Sequence, residues 1–276
     1  MSRPGGDQAG GREAVPERNG LRRFRARVEY DGTDFAGFQV NPNKRTVQGV
    51  LEDALLRLGD GKHRRVDGAG RTDAGVHAMG QVIAFSWDGP HTATELGKAL
   101  ERLLPADVAV HGLRRAPDGF SPRFAARYRE YRYTVWNGPR SPLRERTALG
   151  VRVPLDTAAM ARAGSVFIGR HDFRAFGAAD RSPVRTVMAV RVRRQGRLVT
   201  IDVRADSFLR GQVRRMVAVL VEVGLGKMDD TAVRSALAGA EPAFRGTAVP
   251  AKGLCLRRVA FGRRTGSDMN GEHEER

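Results

Sequence analysis

Two kinds of hydrophobic periodicity alternate along this chain, and the alternation passes through a similar plan twice. At residues 24–30, apolar side chains such as Phe24 and Tyr30 alternate with mainly charged ones. This period of two predicts a half-buried strand. Thr46 then precedes apolar residues at helical spacing, which predicts a capped helix. Switching between the two periods is typical of mixed α and β structure.

The remaining elements follow the same two patterns. In the first half we expect strands at 81–87 and 108–113, with a helix at 94–104 that Pro105 ends. In the second half we expect these segments in chain order: a strand at 131–136, a helix at 156–168, strands at 187–193 and 198–205, a long helix at about 208–225, a helix at 230–237 and a final strand at 254–261.

This repetition predicts an α+β fold of two similar halves. Each half is expected to be a mainly antiparallel sheet with helices on one face, and the active-site cleft is expected between the halves. We place the N-terminal α+β domain at 23–120 and the C-terminal α+β domain at 121–264. The two ends, 1–22 and 265–276, lack periodicity and are rich in glycine and charge, so we expect disordered tails, the second of them acidic.

The charge of the chain indicates the kind of partner. Lys and Arg number 48 against 31 Asp and Glu, a net charge of +17, and 43 of the 48 are Arg. The two tails carry +1 and −3, which leaves +19 on residues 23–264. Arginine binds phosphate through two parallel hydrogen bonds and stacks on bases, so this charge favours a nucleic acid. A proteome that is rich in Arg throughout would produce the same excess without such a partner.

Cysteine content and hydropathy predict the compartment. Cys255 is the single cysteine, so no internal disulfide can form and a reducing compartment is the simpler expectation. No run of about eighteen apolar residues indicates a membrane span. Residues 1–20 contain no apolar stretch of the kind found in secretory signals. We therefore expect a cytoplasmic protein with no membrane partner.

The residues best suited to chemistry lie in a glycine-rich segment at 66–78, VDGAGRTDAGVHA. Small residues on both sides of Asp73 let a ligand approach the backbone and leave this side chain room to project. An Asp in such a loop is also a common turn former that hydrogen-bonds its own backbone. Arg71 before it and His77 after it favour a functional role. The glycine spacing matches neither a P-loop nor a dinucleotide-binding fingerprint.

Metal chemistry finds little support in the residue spacing. The six histidines show no paired spacing such as H-E-x-x-H, and one cysteine cannot form a thiolate cluster. A nuclease site built from carboxylates stays open, because six aspartates could converge in space: Asp31, Asp67, Asp73, Asp172, Asp202 and Asp206.

The segment at 68–78, GAGRTDAGVHA, resembles the signature of the tRNA pseudouridine synthase A family. Further motifs of that family occur in order between residues 24 and 261: YDGTDFAGFQ at 30–39, TVQGVLEDAL at 46–55, YRYTVWN at 131–137, GRHDFRAF at 169–176, VRTV at 184–187, FLRGQVRRMV at 208–217 and AKGLCL at 251–256. Two positions depart from the family pattern. Phe38 stands where Trp is usual and Gln212 where Met is usual, and we expect both to be packing changes.

The resemblance implies a reaction and a substrate. The family isomerises uridine to pseudouridine at positions 38–40 in the anticodon stem-loop of tRNA, without metal or organic cofactor, and as a homodimer. Asp73 matches the catalytic carboxylate, which acts as a nucleophile at C1′ or assists elimination toward a glycal. The target base must leave its stack before this chemistry can occur. Arg71 is expected to occupy the vacated space or to hold the displaced backbone.

Two residues of the C-terminal half complete the implied site. Tyr131 matches the tyrosine that stacks on the extruded uracil and could take the proton from C5, although ordinary strand packing would also place a ring there. Arg214 matches an arginine that pairs with Asp73 and orients it. From the residues alone, an arginine on the helix surface is the favoured interpretation, because Arg210, Arg214 and Arg215 could simply form a solvated basic face. Phe208 is expected to be core or a wall of the pocket.

Three functional classes compete for this chain. A tRNA pseudouridine synthase uses every motif named above. A non-catalytic tRNA-binding protein or RNA chaperone would share the basic surface but would not need Asp73. A metal-dependent nuclease would need a divalent ion and a cluster of carboxylates. We adopt the first class as the prediction.

Overall fold

The computed structural model describes residues 20–178, 182–239 and 247–262. These ranges contain the strands β1 (Arg22–Tyr30), β2 (Asp67–Gly68), β3 (His77–Trp87), β4 (Val108–Arg115), β5 (Ala126–Asn137), β6 (Leu149–Val151), β7 (Gly169–Asp172), β8 (Val184–Gln195), β9 (Leu198–Ala205) and β10 (Leu254–Phe261). The helices are α1 (Val47–Leu58), α2 (Ala93–Leu103), α3 (Pro122–Ala125), α4 (Thr157–Ser165), α5 (Gln212–Gly224) and α6 (Asp230–Leu237). Of the predicted tails, residues 1–19 and 265–276 lie outside the described ranges.

All of these strands belong to one sheet. Eight follow the order β4-β1-β3-β10-β5-β9-β8-β7, while β2 pairs with β3 and β6 pairs with β5. Among the described strands, two neighbouring pairs are parallel, β10 with β3 and β6 with β5, and the others are antiparallel. The predicted α+β fold with a mainly antiparallel sheet is therefore confirmed.

The last strand joins the two halves of the chain. β10 lies between β3 of the first half and β5 of the second. Its Leu256 is opposite Ala78 on one side and Tyr131 on the other. The sheets of the two halves are therefore continuous with each other. The division into domains at residue 120 stays a prediction.

One face of this sheet is buried across almost its whole width. Residues that pair across neighbouring strands point to the same face. From β4 to β8, one row of paired residues consists of Val108, Tyr30, Ala78, Leu256, Tyr131, Val203 and Val190. The first six are at most 8% exposed. They share one core with helix residues such as Leu51, Leu96 and Leu220, so helices of both halves cover this face.

The opposite face carries polar and charged side chains. The adjoining row of paired residues consists of His77, Cys255, Arg132, Asp202 and Arg191. Within it, Arg132 forms a two-point ion pair with Asp202 at 2.7 and 3.1 Å. The two faces therefore differ in chemistry, and adjacent residues of one strand belong to different environments.

Side-chain caps explain where several helices begin. Thr46 accepts a hydrogen bond from an amide of the first turn of α1, as predicted, and Thr92 and Glu95 form a reciprocal capping box at α2. Asp156 and Asp229 accept from first-turn amides of α4 and α6. A cap of this kind stabilises its helix by about 1 kcal/mol.

The long helix begins later than predicted. We expected it from about residue 208, but α5 starts at Gln212. Gly211 has φ +75°, a left-handed conformation that cannot continue a right-handed helix, so residues 206–211 form a loop. β2, β6 and β7 are absent from the prediction because a strand of two to four residues is too short for a period of two to be visible.

Candidate active site

The loop that carries Asp73 connects β2 to β3, and its first residues are hydrogen-bonded to β3. After β2, the Ala69 amide donates a hydrogen bond to the Val82 carbonyl at 2.8 Å. The buried Gln81 side chain donates to the Gly70 carbonyl at 2.7 Å. The Val82 carbonyl and the Gln81 side chain both belong to β3. The sheet therefore fixes the position of the first residues of the loop.

Thr72, the residue before Asp73, is buried and held on two sides. Its hydroxyl lies 2.8 Å from the Tyr30 hydroxyl, and its carbonyl accepts from the Phe38 amide at 3.1 Å. That carbonyl oxygen also lies 2.8 Å from where a Cβ at Gly37 would be, and Gly37 has φ +102°. Only glycine fits there without displacing the loop. The backbone that carries Asp73 is therefore well determined.

Asp73 projects from this loop toward two arginines. Its side chain is 28% exposed. Arg214 Nη1 lies 3.5 Å from Oδ2, and Arg210 Nε lies 3.7 Å from Oδ1. These separations are those of ion pairs and are longer than strong hydrogen bonds, and such contacts often tighten when substrate binds. The structure thus brings Asp73 and Arg214 together.

The two arginines are held differently. Arg214 lies on α5, its side chain is 23% exposed, and its Nε donates to the Val249 carbonyl at 2.8 Å, which leaves Nη1 directed at the carboxylate. Arg210 lies in the loop before α5 and is 84% exposed. Arg214 is therefore not part of a solvated helix face, whereas Arg210 is solvated but lies before the helix begins.

Tyr131 lies on the buried face of β5. It is 8% exposed, and its ring meets that of Phe208 edge to face, with centroids 5.4 Å apart. Burial raises the pKa of the Tyr131 hydroxyl above its usual range, the positive charge of Arg129 acts in the opposite direction, and Asp73 raises the pKa further. Phe208 therefore forms an aromatic wall with Tyr131, and the Tyr131 hydroxyl is close enough to Asp73 to be affected by its charge.

Arg71 stands apart from this cluster. It is exposed on the same loop as Asp73. It makes no hydrogen bond or ion pair with any other residue in the described part of the chain. Of the two arginines that the resemblance puts near the carboxylate, only Arg214 contacts it.

His77 connects several segments and does not belong to the site. Its Nδ1 lies 3.1 Å from the Gly32 amide nitrogen, and its Nε2 lies 3.1 Å from the carbonyl oxygens of Arg146 and Lys252. By its register in β3, His77 belongs to the sheet face opposite Tyr131. In the sequence, His77 favoured a functional role for the loop of Asp73. In the structure, its contacts are with backbone groups on the opposite face, so its role there is structural.

A cavity of about 470 Å³ lies on this opposite face. Its lining includes His77, Met79, Arg132, Cys255 and Arg257, and it includes neither Asp73 nor Tyr131. Burial raises the pKa of the Cys255 thiol to about 11, so the thiol is protonated at neutral pH and a poor nucleophile. The residues suited to chemistry thus lie on the other side of the sheet.

Sequence reasoning missed Arg129. This residue lies two positions before Tyr131 on the same buried face of β5 and is 9% exposed. A charged residue at an inward position of a half-buried strand is the signal that would have found it, because a buried charge requires partners. Sequence reasoning also did not place Arg210 at the carboxylate, since that contact depends on the turn at Gly211.

The two departures from the family pattern are both buried. The Phe38 ring packs directly on the backbone of β2, with ring carbons 2.5 and 2.6 Å from where a Cβ at Gly68 would be. Gln212 is fully buried, and its Oε1 accepts from the Leu209 amide at 2.8 Å. Phe38 is a packing residue, as expected, whereas Gln212 also closes the turn before α5 with a hydrogen bond.

Within the described ranges, no three residues of the types His, Cys, Asp and Glu are grouped so that they could hold a metal ion. The six aspartates considered for a nuclease therefore form no such cluster. None of the helices in these ranges has the length and apolar character needed to cross a membrane.

Known proteins resemble this chain over most of its length. The model of the family described as tRNA pseudouridine synthase matches residues 26–125 and again residues 163–262. The tRNA pseudouridine synthase A of Pelobacter propionicus is 41% identical over 245 residues, which cover 87% of this chain and 100% of that protein. The proteins of the same name from Geobacter sulfurreducens and Roseiflexus sp. are 42% and 44% identical, over 87% of this chain and 100% and 91% of their own lengths.

The repeated match fits the two similar halves of the sheet and defines an isomerase of the pseudouridine synthase class. The first matched segment contains the loop of Asp73, and the second contains α5 with Arg214. The chain belongs to the tRNA pseudouridine synthase family. The family predicted from the motifs is confirmed.

Proposed function

We propose that this protein isomerises uridine to pseudouridine at positions 38–40 in the anticodon stem-loop of tRNA, with Asp73 as the catalytic carboxylate. The position of Asp73 carries the proposal. The side chain is partly exposed, its backbone is held by the neighbouring Thr72, and two arginines face it. A turn-forming Asp, the alternative for this residue, would have its oxygens occupied by backbone amides instead.

The reaction breaks one bond and forms another. The bond between uracil N1 and ribose C1′ breaks, the uracil turns over, and C5 bonds to C1′. C5 loses a proton and N1 gains one, so the atoms balance without an oxidant or a reductant. Asp73 either attacks C1′ and is later displaced by C5, or takes the C2′ proton to give a glycal and returns it. Both routes require the carboxylate beside the ribose.

Arg214 orients this carboxylate. Its Nε is bound to the Val249 carbonyl, so the guanidinium has a fixed direction and Nη1 faces Oδ2 of Asp73. A preorganised charge of this kind does not have to be rearranged during the reaction. Arg210 is exposed and approaches the other carboxylate oxygen, so it can also meet a phosphate of the bound RNA.

Tyr131 supplies the surface on which the extruded uracil stacks. Phe208 supports its ring edge to face, and the pair lies beside Asp73. An aromatic ring of this kind stacks on any base, and stacking is worth about 1–3 kcal/mol per base. Burial raises the pKa of the Tyr131 hydroxyl and the charge of Arg129 only partly offsets this, so the site as it stands supports the stacking role of Tyr131 and gives no support to acceptance of the C5 proton.

Arg71 acts on the RNA and not on the carboxylate. It is exposed on the loop of Asp73, two residues from it, so it can enter the space that the extruded uridine leaves. Extrusion of a paired base requires a few kcal/mol of unstacking and unpairing energy, and a side chain that fills the gap offsets part of this.

The remaining features of the proposal concern assembly. The +19 charge of residues 23–264 suits binding to the tRNA backbone. We also propose a homodimer, a cytoplasmic location, no metal or organic cofactor, and division into the two domains 23–120 and 121–264, each of which rests on the family resemblance and the sequence.

The test is incubation of the purified protein with unmodified tRNA in the presence of a chelator, followed by chemical mapping of pseudouridine. We expect pseudouridine at positions 38–40. Binding without any product would indicate the non-catalytic tRNA-binding protein or chaperone instead. Cleavage of the tRNA that requires a divalent ion would indicate a nuclease.

A further inference from the structure

Arg129 is a buried cation in the middle of the fold. It lies on the core face of β5 between Tyr131 and the end of α3, and it is 9% exposed. Burial lowers the pKa of its guanidinium, with partly offsetting effects from Tyr131 and Asp206. Removing a charge from water is strongly unfavourable unless hydrogen bonds replace the lost water. The partners of Arg129 therefore explain why it is there.

Those partners are backbone carbonyl oxygens of three separate segments. Nη2 donates to Ala69 at 2.7 Å and to Arg123 at 2.7 Å, and Nη1 donates to Asp206 at 2.8 Å. Nε makes a further, longer contact with Ala69 at 3.3 Å. One guanidinium thus links α3, the loop after β2 and the loop before α5.

Two of these segments carry the groups that must meet in the site. Ala69 lies in the loop that leads to Asp73. Asp206 opens the loop that carries Arg210 and leads into α5 with Arg214. The carboxylate therefore comes from the first half of the chain and its arginines from the second, and Arg129 bonds to the backbone of both.

The planar guanidinium is suited to this task. It presents five N–H donors in a fixed fork, so one side chain can bind carbonyls on several sides at fixed angles. A lysine ammonium is a compact charge with three donors on a flexible stem and cannot span the same set of acceptors. A conservative change to Lys should therefore loosen the geometry while keeping the charge.

We propose that Arg129 is a positioning residue that sets the separation between Asp73 and its arginines by bonding the carbonyls of Ala69 and Asp206 at once. The inference rests on the proposed function for the reaction it serves. Its structural basis, a link between two loops, is independent of that reaction. The competing account is that Arg129 stabilises the fold alone.

The first measurement does not depend on activity. Hydrogen exchange is compared in the full-length Arg129→Lys protein and in a matched control, Arg132→Lys, which makes the same change three residues along β5 at an ion pair on the opposite face. We expect residues 69–76 and 206–211 to exchange at least about tenfold faster together in Arg129→Lys and to be unchanged in the control. Unchanged exchange in both loops would overturn the proposal.

The second measurement is the single-turnover rate at saturating tRNA. We expect Arg129→Lys to lower it by at least about 30-fold with the Kd for tRNA within about threefold of the parent, and Arg132→Lys to leave it within about threefold. Arg129→Lys and Arg214→Ala should combine to less than the product of their separate effects, because both act on the orientation of one carboxylate. Effects that multiply fully, or a lowered Tm with a normal rate, would support the purely structural account and overturn the proposal.

A parent protein that makes no pseudouridine would refute the proposed function, and the exchange result would then still decide the role of Arg129. If Arg129→Lys does not fold, Arg129→Gln is measured in the same way, because the amide keeps a donor without burying a charge. We expect the same paired loosening of the two loops in that variant, and its absence would overturn the proposal.

Discussion

The loop of Asp73 and the segment at 206–214 meet at the same site, but they contribute opposite charges and are held by different means. The first is bound to β3 and to Tyr30 and carries one carboxylate. The second carries two arginines, of which Arg214 is anchored and Arg210 is exposed. The same family model matches both halves of the chain, yet the halves are not chemically equivalent.

Neither half supplies all three of these side chains, because Asp73 comes from the first half and Arg210 and Arg214 come from the second. The carboxylate without Arg214 has no fixed direction, and the arginines without Asp73 are only a basic patch. Two features connect the segments that carry these side chains: the sheet is continuous through β10, and Arg129 hydrogen-bonds to both Ala69 and Asp206. A change that affects only one of these segments should therefore alter either tRNA affinity or the single-turnover rate, but not both equally.

The largest expected effect is that of salt, which should weaken tRNA binding by the exposed arginines much more than it slows the reaction at Asp73 and Arg214. Raising monovalent salt from 50 to 200 mM should weaken tRNA affinity by about 10³-fold or more, if six or more phosphates are neutralised. The single-turnover rate at saturating tRNA should change little, since Arg214 and Asp73 are partly shielded from solvent. Affinity measured by filter binding over a salt series tests this. A flat response would mean that the arginine excess is compositional.

Loss of the anchored arginine should slow the reaction itself. We expect Arg214→Ala to lower the single-turnover rate by about 10- to 100-fold, the range for one charge-assisted hydrogen bond. The loss should be the same on tRNA with a paired target and on a variant in which the pair at the target is broken, because Arg214 acts on Asp73 and not on the RNA. A rate recovered on the unpaired substrate would contradict this role.

Arg71 should behave in the opposite way, although it shares a loop with the carboxylate. Arg71→Ala should slow the paired target by about tenfold, a fraction of the few kcal/mol needed for extrusion, and most of the loss should disappear on the unpaired target. The same pair of substrates serves as the test. Equal losses on both would mean that Arg71 does not assist extrusion.

The exposed arginine should matter least. Arg210 is 84% exposed, and an exposed ion pair contributes at most about 1 kcal/mol, so Arg210→Ala should slow turnover by less than about fivefold. Parallel rates for Arg210→Ala and Arg214→Ala provide the comparison. A larger effect at Arg210 would reverse the assignment of anchored and exposed roles.

Clean periodicity explains which parts of the fold could be predicted. β9 and α6 have the predicted bounds because their apolar spacing runs uninterrupted between turn or capping residues. The start of α5 could not be predicted, because apolar spacing at 208–225 does not reveal the left-handed Gly211. Nor does periodicity state which strands pair, so the position of β10 between the two halves emerges only from the structure.

The residues of the site also fall into those that could be predicted from the sequence and those that could not. Asp73, Tyr131 and Arg214 could be named because each belongs to a local motif, and the structure brings the three together. The inward position of Arg129 on β5 marks it as a charge that needs partners, but its role could not be predicted, because those partners are three carbonyl groups that are distant in the sequence. Backbone acceptors leave no mark on residue identity.

The most direct test of the central claim removes the charge of Asp73 and keeps its size. Asp73→Asn is compared with Asp34→Asn, the same change at a side chain that is 71% exposed, in single-turnover reactions with excess protein on unmodified tRNA. We expect no detectable pseudouridine from Asp73→Asn, tRNA binding within about threefold of the parent, and a normal rate from Asp34→Asn. Isomerisation by Asp73→Asn at a rate close to that of the control would contradict the account.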